Sequence, residues 1–291
     1  MQRRTLLASL AASALLAPTA RAAAGFVTTP DNRRLAYLDR GTGTPVVLLH
    51  GWSLGSAIWT LQTDWLVAQG LRVVAYDRRG HAGSDKPADG YDFDTLAADL
   101  AAVLDQLDLS DVTLVGHSMG AGEVARYLAR YGSKRVARTM LVAPTTPFAL
   151  KTADNPEGID RAVYDRLVAA LEANPQAYLA AGAPGFFGRN VEPDMVEWGL
   201  SIARQASVPA LVKCLRAFSE TDFRADMRAF TLPTLIVYGT GDVPSMAKNA
   251  ARTAAAIAGS RVEPYEGAPH GLFLTDPARF NRDLLGFIRS F

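Results

Sequence analysis

Short apolar runs recur along this chain, and most are followed by a stretch whose apolar residues return every three or four positions. Phe26–Thr29 and Leu35–Asp39, parted by Asp31-Asn32, predict an entry hairpin. Val46–Leu49, Val73–Tyr76, Val112–Val115, Thr139–Val142, Leu235–Tyr238 and Arg261–Tyr265 predict further strands. Between them, residues 56–69, 93–107, 119–131, 245–258 and 276–289 carry the helical period. In the third of these helices Val124, Tyr127, Leu128 and Tyr131 form one face, and Gly132 predicts the C-cap. Alternation of short strands with amphipathic helices predicts an α/β fold with a mostly parallel, doubly wound sheet. Ligands of such sheets sit at the carboxyl ends of the strands.

One interval breaks the alternation. From Thr146 to Thr231 there are only helix-like runs, at Asp160–Leu171, Val191–Gln205 and Pro209–Phe218. They are punctuated by Ala183-Pro184-Gly185-Phe186-Phe187-Gly188. Residues 146–231 are therefore expected to be a helical cap inserted after the sixth strand, with 25–145 and 232–291 forming the core. The first 24 residues differ in kind: Arg3-Arg4, an uncharged stretch from Thr5 to Ala17, and small-residue sites at Ala20-Arg21-Ala22 and Ala22-Ala23-Ala24. This is the plan of a cleaved signal peptide, and the paired arginines resemble a twin-arginine leader. The expected location is periplasmic or secreted. The apolar run is too short to span a bilayer comfortably, so no stable membrane insertion is expected.

Composition narrows the picture. An apolar fraction of 49% and a charged fraction of 20% suit a large globular core. Without Arg3, Arg4 and Arg21 the chain carries 27 basic against 29 acidic residues, which gives no reason to expect a nucleic-acid partner. The single Cys214 excludes an internal disulfide and reads as a buried filler. No metal or cofactor is expected. A homo-oligomer stays compatible with the sequence.

The chemistry concentrates at "LVGHSMGAGEVARY". Gly116-His117-Ser118-Met119-Gly120 fits G-x-S-x-G at a strand-to-helix turn, a turn so sharp that the positions two before and two after the serine must be small. Gly122 then lets the helix pack closely. The serine hydroxyl stands at a helix N-terminus, where backbone N–H groups favour an oxyanion. A serine needs a base, and there are only four histidines. His117 is expected to point away from Ser118, and His50 and His81 to organise the loops they sit in. His270, in a loop after the last strand, falls where the base belongs in the chain order Ser…Asp/Glu…His. Asp242, directly after the strand Leu235–Tyr238, is the expected orienting acid. Asp77 is expected to anchor its own loop, while Asp222 and Asp226 fall in the inserted segment. The oxyanion donors are expected to be the N–H groups of Met119 and Trp52.

These residues resemble the α/β-hydrolase superfamily, and more closely its cofactor-free haloperoxidase (non-haem chloroperoxidase) and aryl esterase family. The likeness runs from Phe26 to the C-terminus through "HGW", "YDRRGHAGSDKP", "VTLVGHSMGAGEVARYLARYG", "AFSETDFRADM" and "GAPHG". It implies a Ser118–His270–Asp242 triad, Trp52 and Met119 at the oxyanion hole, and a small acyl pocket under a helical cap. Phe218, in "AFSETDF", becomes a candidate pocket wall. The family's loop after the acid is longer, with an Asp-x-x-x-Pro run; here Pro244 comes two residues after Asp242, and Thr240 replaces an acid. The implied activity is serine carboxylesterase on small esters or lactones. Perhydrolase or haloperoxidase activity at the same triad is the alternative, and carbon–carbon bond hydrolysis stays open. Ser118 argues against the dehalogenases and epoxide hydrolases of this fold, which need a carboxylate nucleophile. A catalytically silent binding protein would usually lack a triad member, and none is missing.

Overall fold

The computed structural model describes residues 22–189 and 191–290. The leader assigned from the sequence therefore lies almost wholly outside the described residues. Eight strands form one sheet in the order β1-β2-β4-β3-β5-β6-β7-β8. They are β1 (Ala22–Thr28), β2 (Arg34–Arg40), β3 (Pro45–Leu49), β4 (Arg72–Tyr76), β5 (Val112–His117), β6 (Val136–Val142), β7 (Thr234–Gly239) and β8 (Arg261–Tyr265). β1 and β2 pair antiparallel, as do β2 and β4; all other pairs are parallel. Every residue of β5 is buried, as a strand covered on both faces requires. β8 is one edge of the sheet, and Pro264 sits there, where its missing N–H costs little.

The helices are α1 (Thr60–Ala68), α2 (Phe93–Gln106), α3 (Met119–Tyr131), α4 (Arg161–Ala173), α5 (Pro175–Phe187), α6 (Pro193–Ala203), α7 (Val208–Glu220), α8 (Pro244–Ala256), α9 (Leu272–Thr275) and α10 (Pro277–Arg289). α2 starts where the Asp92 side chain accepts from the Thr95 N–H, an N-cap that satisfies one orphan donor. α1 packs with α10 and α2 with α3. Trp59, Phe273 and Phe280 form an aromatic cluster beneath α10, with ring centroids 4.3 Å apart for the first two.

Three features differ from the sequence reading. A helix runs straight through Pro184, because α5 needs only one backbone bond fewer there and Pro175 opens it at the favoured first position. The last predicted helix, 276–289, is present as α10, capped by the Asp276 side chain accepting from the Arg279 N–H, but a short separate helix, α9, precedes it unforeseen. β1 begins at Ala22 rather than Phe26, since backbone pairing with Arg40 to Tyr37 needs no large side chain.

Chain order places the switch of sheet direction between β3 and β5, where α/β sheets open a crevice. The chain then leaves the sheet after β6, makes α4 to α7, and returns. Phe223 N–H donates to the Pro147 carbonyl at 2.8 Å, so the excursion closes on itself at its base.

Candidate active site

β5 ends at His117, and Ser118 takes φ 54° and ψ −115° before α3 begins. A positive φ is strained for a side chain larger than glycine, and an observed outlier of this kind points to function. The glycines make the turn feasible. A β-carbon on Gly116 would lie 2.6 Å from the Gly120 carbonyl oxygen, and one on Gly120 would lie 2.7 Å from that of Leu49. One on Gly122 would meet the rings of Phe93 and Phe223. Ser118 N–H donates to the Val142 carbonyl at 2.8 Å, which pins the turn to the neighbouring strand. Met119 is the first residue of α3, so its N–H has no acceptor within the helix.

The loops after β7 and β8 bring in the acid and the base. Asp242 Oδ1 accepts from Val243 N–H, and its Oδ2 lies 2.6 Å from His270 Nδ1. A carboxylate only accepts, so His270 Nδ1 carries the proton and Nε2 is left as the acceptor. The Asp242 side chain is 2% exposed and that of His270 15%, so the acid is sealed and the base opens outward. The Asp242 loop is clamped: Gly267 N–H donates to Thr240 Oγ1 at 2.8 Å, and Gly241 N–H to the Ala268 carbonyl at 3.0 Å. Thr240 thus ties the two loops together.

Ser118, Asp242 and His270 line one cavity of about 410 Å³. Trp52 and Phe218 line it as well, their rings edge-on at 6.4 Å, and Trp52 Nε1 donates to the Leu211 carbonyl. Met119 is buried and its side chain does not reach the cavity. The helices of the excursion supply Leu167, Tyr178, Leu179, Ala183, Phe186, Phe187, Leu200 and Ala203, and the core adds Ser53, Leu54, His117, Val243 and Met246. Apart from Asp242 and His270, no charged side chain among the described residues lines it.

The other candidates lie where loop roles put them. Asp77 accepts from Ser56 and Gly83 N–H groups, Asp222 pairs with Arg224, and Asp226 with Arg126. His50 Nε2 accepts from Arg78 N–H at 2.9 Å and its Nδ1 donates to the Gly51 carbonyl. Burial, reinforced by Arg78, holds His50 well below the ordinary histidine range and His81 down at about 3. Burial pushes the Cys214 thiol up to about 12, so it is not a nucleophile.

His117 corrects the sequence reading. It does not point away; its ring centroid lies 4.8 Å from that of His270, and its Nε2 meets the His270 carbonyl at 3.3 Å. A carbonyl only accepts, so Nε2 donates, and burial keeps the ring neutral. No periodicity could have shown this, because the partner lies 153 residues away. Two further residues were passed over: Arg78 and Glu123, both fully buried beside the Trp52 loop. Glu123 did carry a signal, as the one acid in the otherwise apolar first turns of α3.

Residues 44–277 match the family model described as the alpha/beta hydrolase fold. The chain belongs to the α/β-hydrolase family. Within it, the chain is 42% identical to a non-heme chloroperoxidase of Streptomyces lividans over 91% of its own length and all of that protein's. It is 37% identical to a bifunctional esterase/perhydrolase of Acinetobacter calcoaceticus, again over 91% of this chain and all of the relative. The crystal structure of a bromoperoxidase from Bacillus anthracis superimposes with a TM-score of 0.87 at 37% identity, covering 92% of this chain and all of the other.

Proposed function

We propose that the protein is a serine carboxylesterase working through an acyl-enzyme on Ser118. The observation that carries this is the Asp242–His270 hydrogen bond of 2.6 Å, opening on the same cavity as a serine held at positive φ. Ser118 Oγ attacks the ester carbonyl as His270 Nε2 takes its proton, and the oxyanion rests on the N–H groups of Met119 and Trp52. His270 then protonates the departing alcohol. Water, deprotonated by the same nitrogen, releases the acid and restores the serine. Asp242 holds the imidazole in the productive tautomer and stabilises the imidazolium. The apolar lining selects neutral, apolar small esters or lactones, because a charged substrate would lose its hydration without a partner.

A second reading, favoured by the likeness to an esterase/perhydrolase, uses the same acyl-enzyme. Hydrogen peroxide replaces water, the peracid leaves, and it oxidises halide in solution. Phe218 shapes the substrate wall in either case. The Arg3-Arg4 leader directs export, with the mature chain starting near Ala23 or Gly25; N-terminal sequencing of native protein that begins at Met1 would rule this out.

Ser118→Ala tests the mechanism. We expect kcat on p-nitrophenyl esters to fall by about 10⁴–10⁶ with the thermal melt unchanged. Near-wild-type turnover by a folded, uncontaminated variant would sink it. Peroxide-dependent halide oxidation that survives Ser118→Ala would sink the second reading alone.

A further inference from the structure

The two residues before Trp52 are held from behind by Arg78, whose Nη1 donates to the Gly51 carbonyl at 3.4 Å. Arg78 Nη2 donates to the His50 carbonyl at 2.6 Å, and Arg78 N–H donates to His50 Nε2. Its Nε donates to Glu123 Oε1, and Tyr76 Oη donates to Glu123 Oε2 at 2.9 Å. Arg78 and Glu123 are each 1% exposed. Glu123 lies one turn into α3, the helix that begins with Met119. One ion pair therefore joins the Trp52 loop to the first turn of the Met119 helix.

Stability does not account for such a pair. Desolvating both charges costs several kcal/mol each, and an apolar pair of similar volume is usually as stable or more so. What the pair supplies is direction: a planar guanidinium fork with fixed geometry between two backbone segments. Oxyanion stabilisation depends on such fixed geometry, since donors must be aimed before the charge develops.

We propose that Arg78 and Glu123 are positioning residues, a buried strut that sets the spacing between the Trp52 and Met119 N–H groups. The proposal rests on the reading of those groups as the oxyanion hole. Neither side chain touches substrate. The strut acts on the transition state and leaves ground-state binding alone, so its signature is a split between kcat and KM.

The test uses Arg78→Lys, which keeps the charge and loses the fork, and Glu123→Gln, which keeps the shape and loses the charge. A third variant, Arg78→Met with Glu123→Leu, leaves no unpaired buried charge and guards against misfolding of the singles. Each is assayed with p-nitrophenyl butyrate, with benzeneboronic acid as a tetrahedral mimic on Ser118, and with benzyl alcohol as a neutral competitor. We expect kcat to fall by about 10–100-fold with KM within about threefold. Boronate affinity should fall in proportion, benzyl alcohol inhibition should hold, and the paired substitution should lose no more than the worse single. The proposal is overturned if the folded variants keep kcat within about twofold. It is equally overturned if the paired apolar variant recovers wild-type kcat, or if boronate and alcohol weaken together. Failure of the esterase reading would look different: the wild-type enzyme would itself be insensitive to Ser118→Ala.

Discussion

At the sheet, Gly116, Gly120 and Gly122 leave no room for one more carbon; above it, a β-carbon on Gly182 or Gly185 of α5 meets no atom within 4 Å. The same contrast runs through the charges. Beneath the site Arg78–Glu123 and Arg79–Asp99 are buried, whereas Arg224–Asp222 and Arg161–Glu220 around the excursion are exposed and screened by water. The two regions divide the work. On the proposed mechanism the sheet end fixes where atoms react, which matches its over-determined geometry. The helices above it fix what may enter, and need only present apolar surface.

Carboxylates give the largest difference between the two. Asp242→Asn should preserve folding and reduce kcat by about 10²–10⁴, through the wrong imidazole tautomer. Asp222→Asn, among the helices, should change kcat by less than about twofold, because an exposed pair carries little. Steady-state kinetics on purified variants of matched thermal melt would reverse the assignment if Asp222 proved the costlier loss.

Acid should strike the sheet end first. His50, His81 and His117 are buried and held low, and residues 146–231 contain no histidine at all. The unfolded chain binds protons below about pH 6.5 that the folded chain refuses. Stability is therefore fully present above that pH and declines as pH falls, for His81 until about 3. Each ring contributes up to about 1.4 kcal/mol per pH unit. His81→Asn, which can keep the bond to the Arg79 carbonyl, should flatten the fall of Tm between pH 6.5 and 5 by about a third. An unchanged slope would show that these rings charge in place.

Single methyl groups make the contrast smaller but more direct. Gly120→Ala should destabilise by about 1–3 kcal/mol, since the Leu49 backbone oxygen at 2.7 Å cannot yield cheaply. Gly182→Ala should stabilise α5 by about 0.5–1 kcal/mol, with no clash to offset the helix propensity. Denaturant melts of the two, read side by side, should show opposite signs.

Most of the sheet end was readable beforehand because its rules are local. The succession of strands and helices, the three glycines and the positions of Ser118, Asp242 and His270 after strands all follow from short windows of sequence. Other features depend on partners far along the chain. His117 settles against His270, and Arg78 reaches across to His50 and Glu123, contacts that no window contains. Among the helices, Pro184 looked like a break, yet the neighbouring residues hold α5 together through it. A proline states what is lost locally and says nothing of what surrounding packing returns.

The hydrogen bond from Phe223 to Pro147 bears on how such a molecule can change over evolutionary time. It makes the helices a loop with joined ends, tied to the core at that base and by a few further bonds such as Trp52 Nε1 to the Leu211 carbonyl. Closure entropy grows with the logarithm of length, at about 0.6 kcal/mol per doubling. Helices can then be lengthened, lost or exchanged between these two residues at little expense to the sheet, and a new substrate range can be acquired by replacing one contiguous stretch of sequence while every reacting group stays where it was.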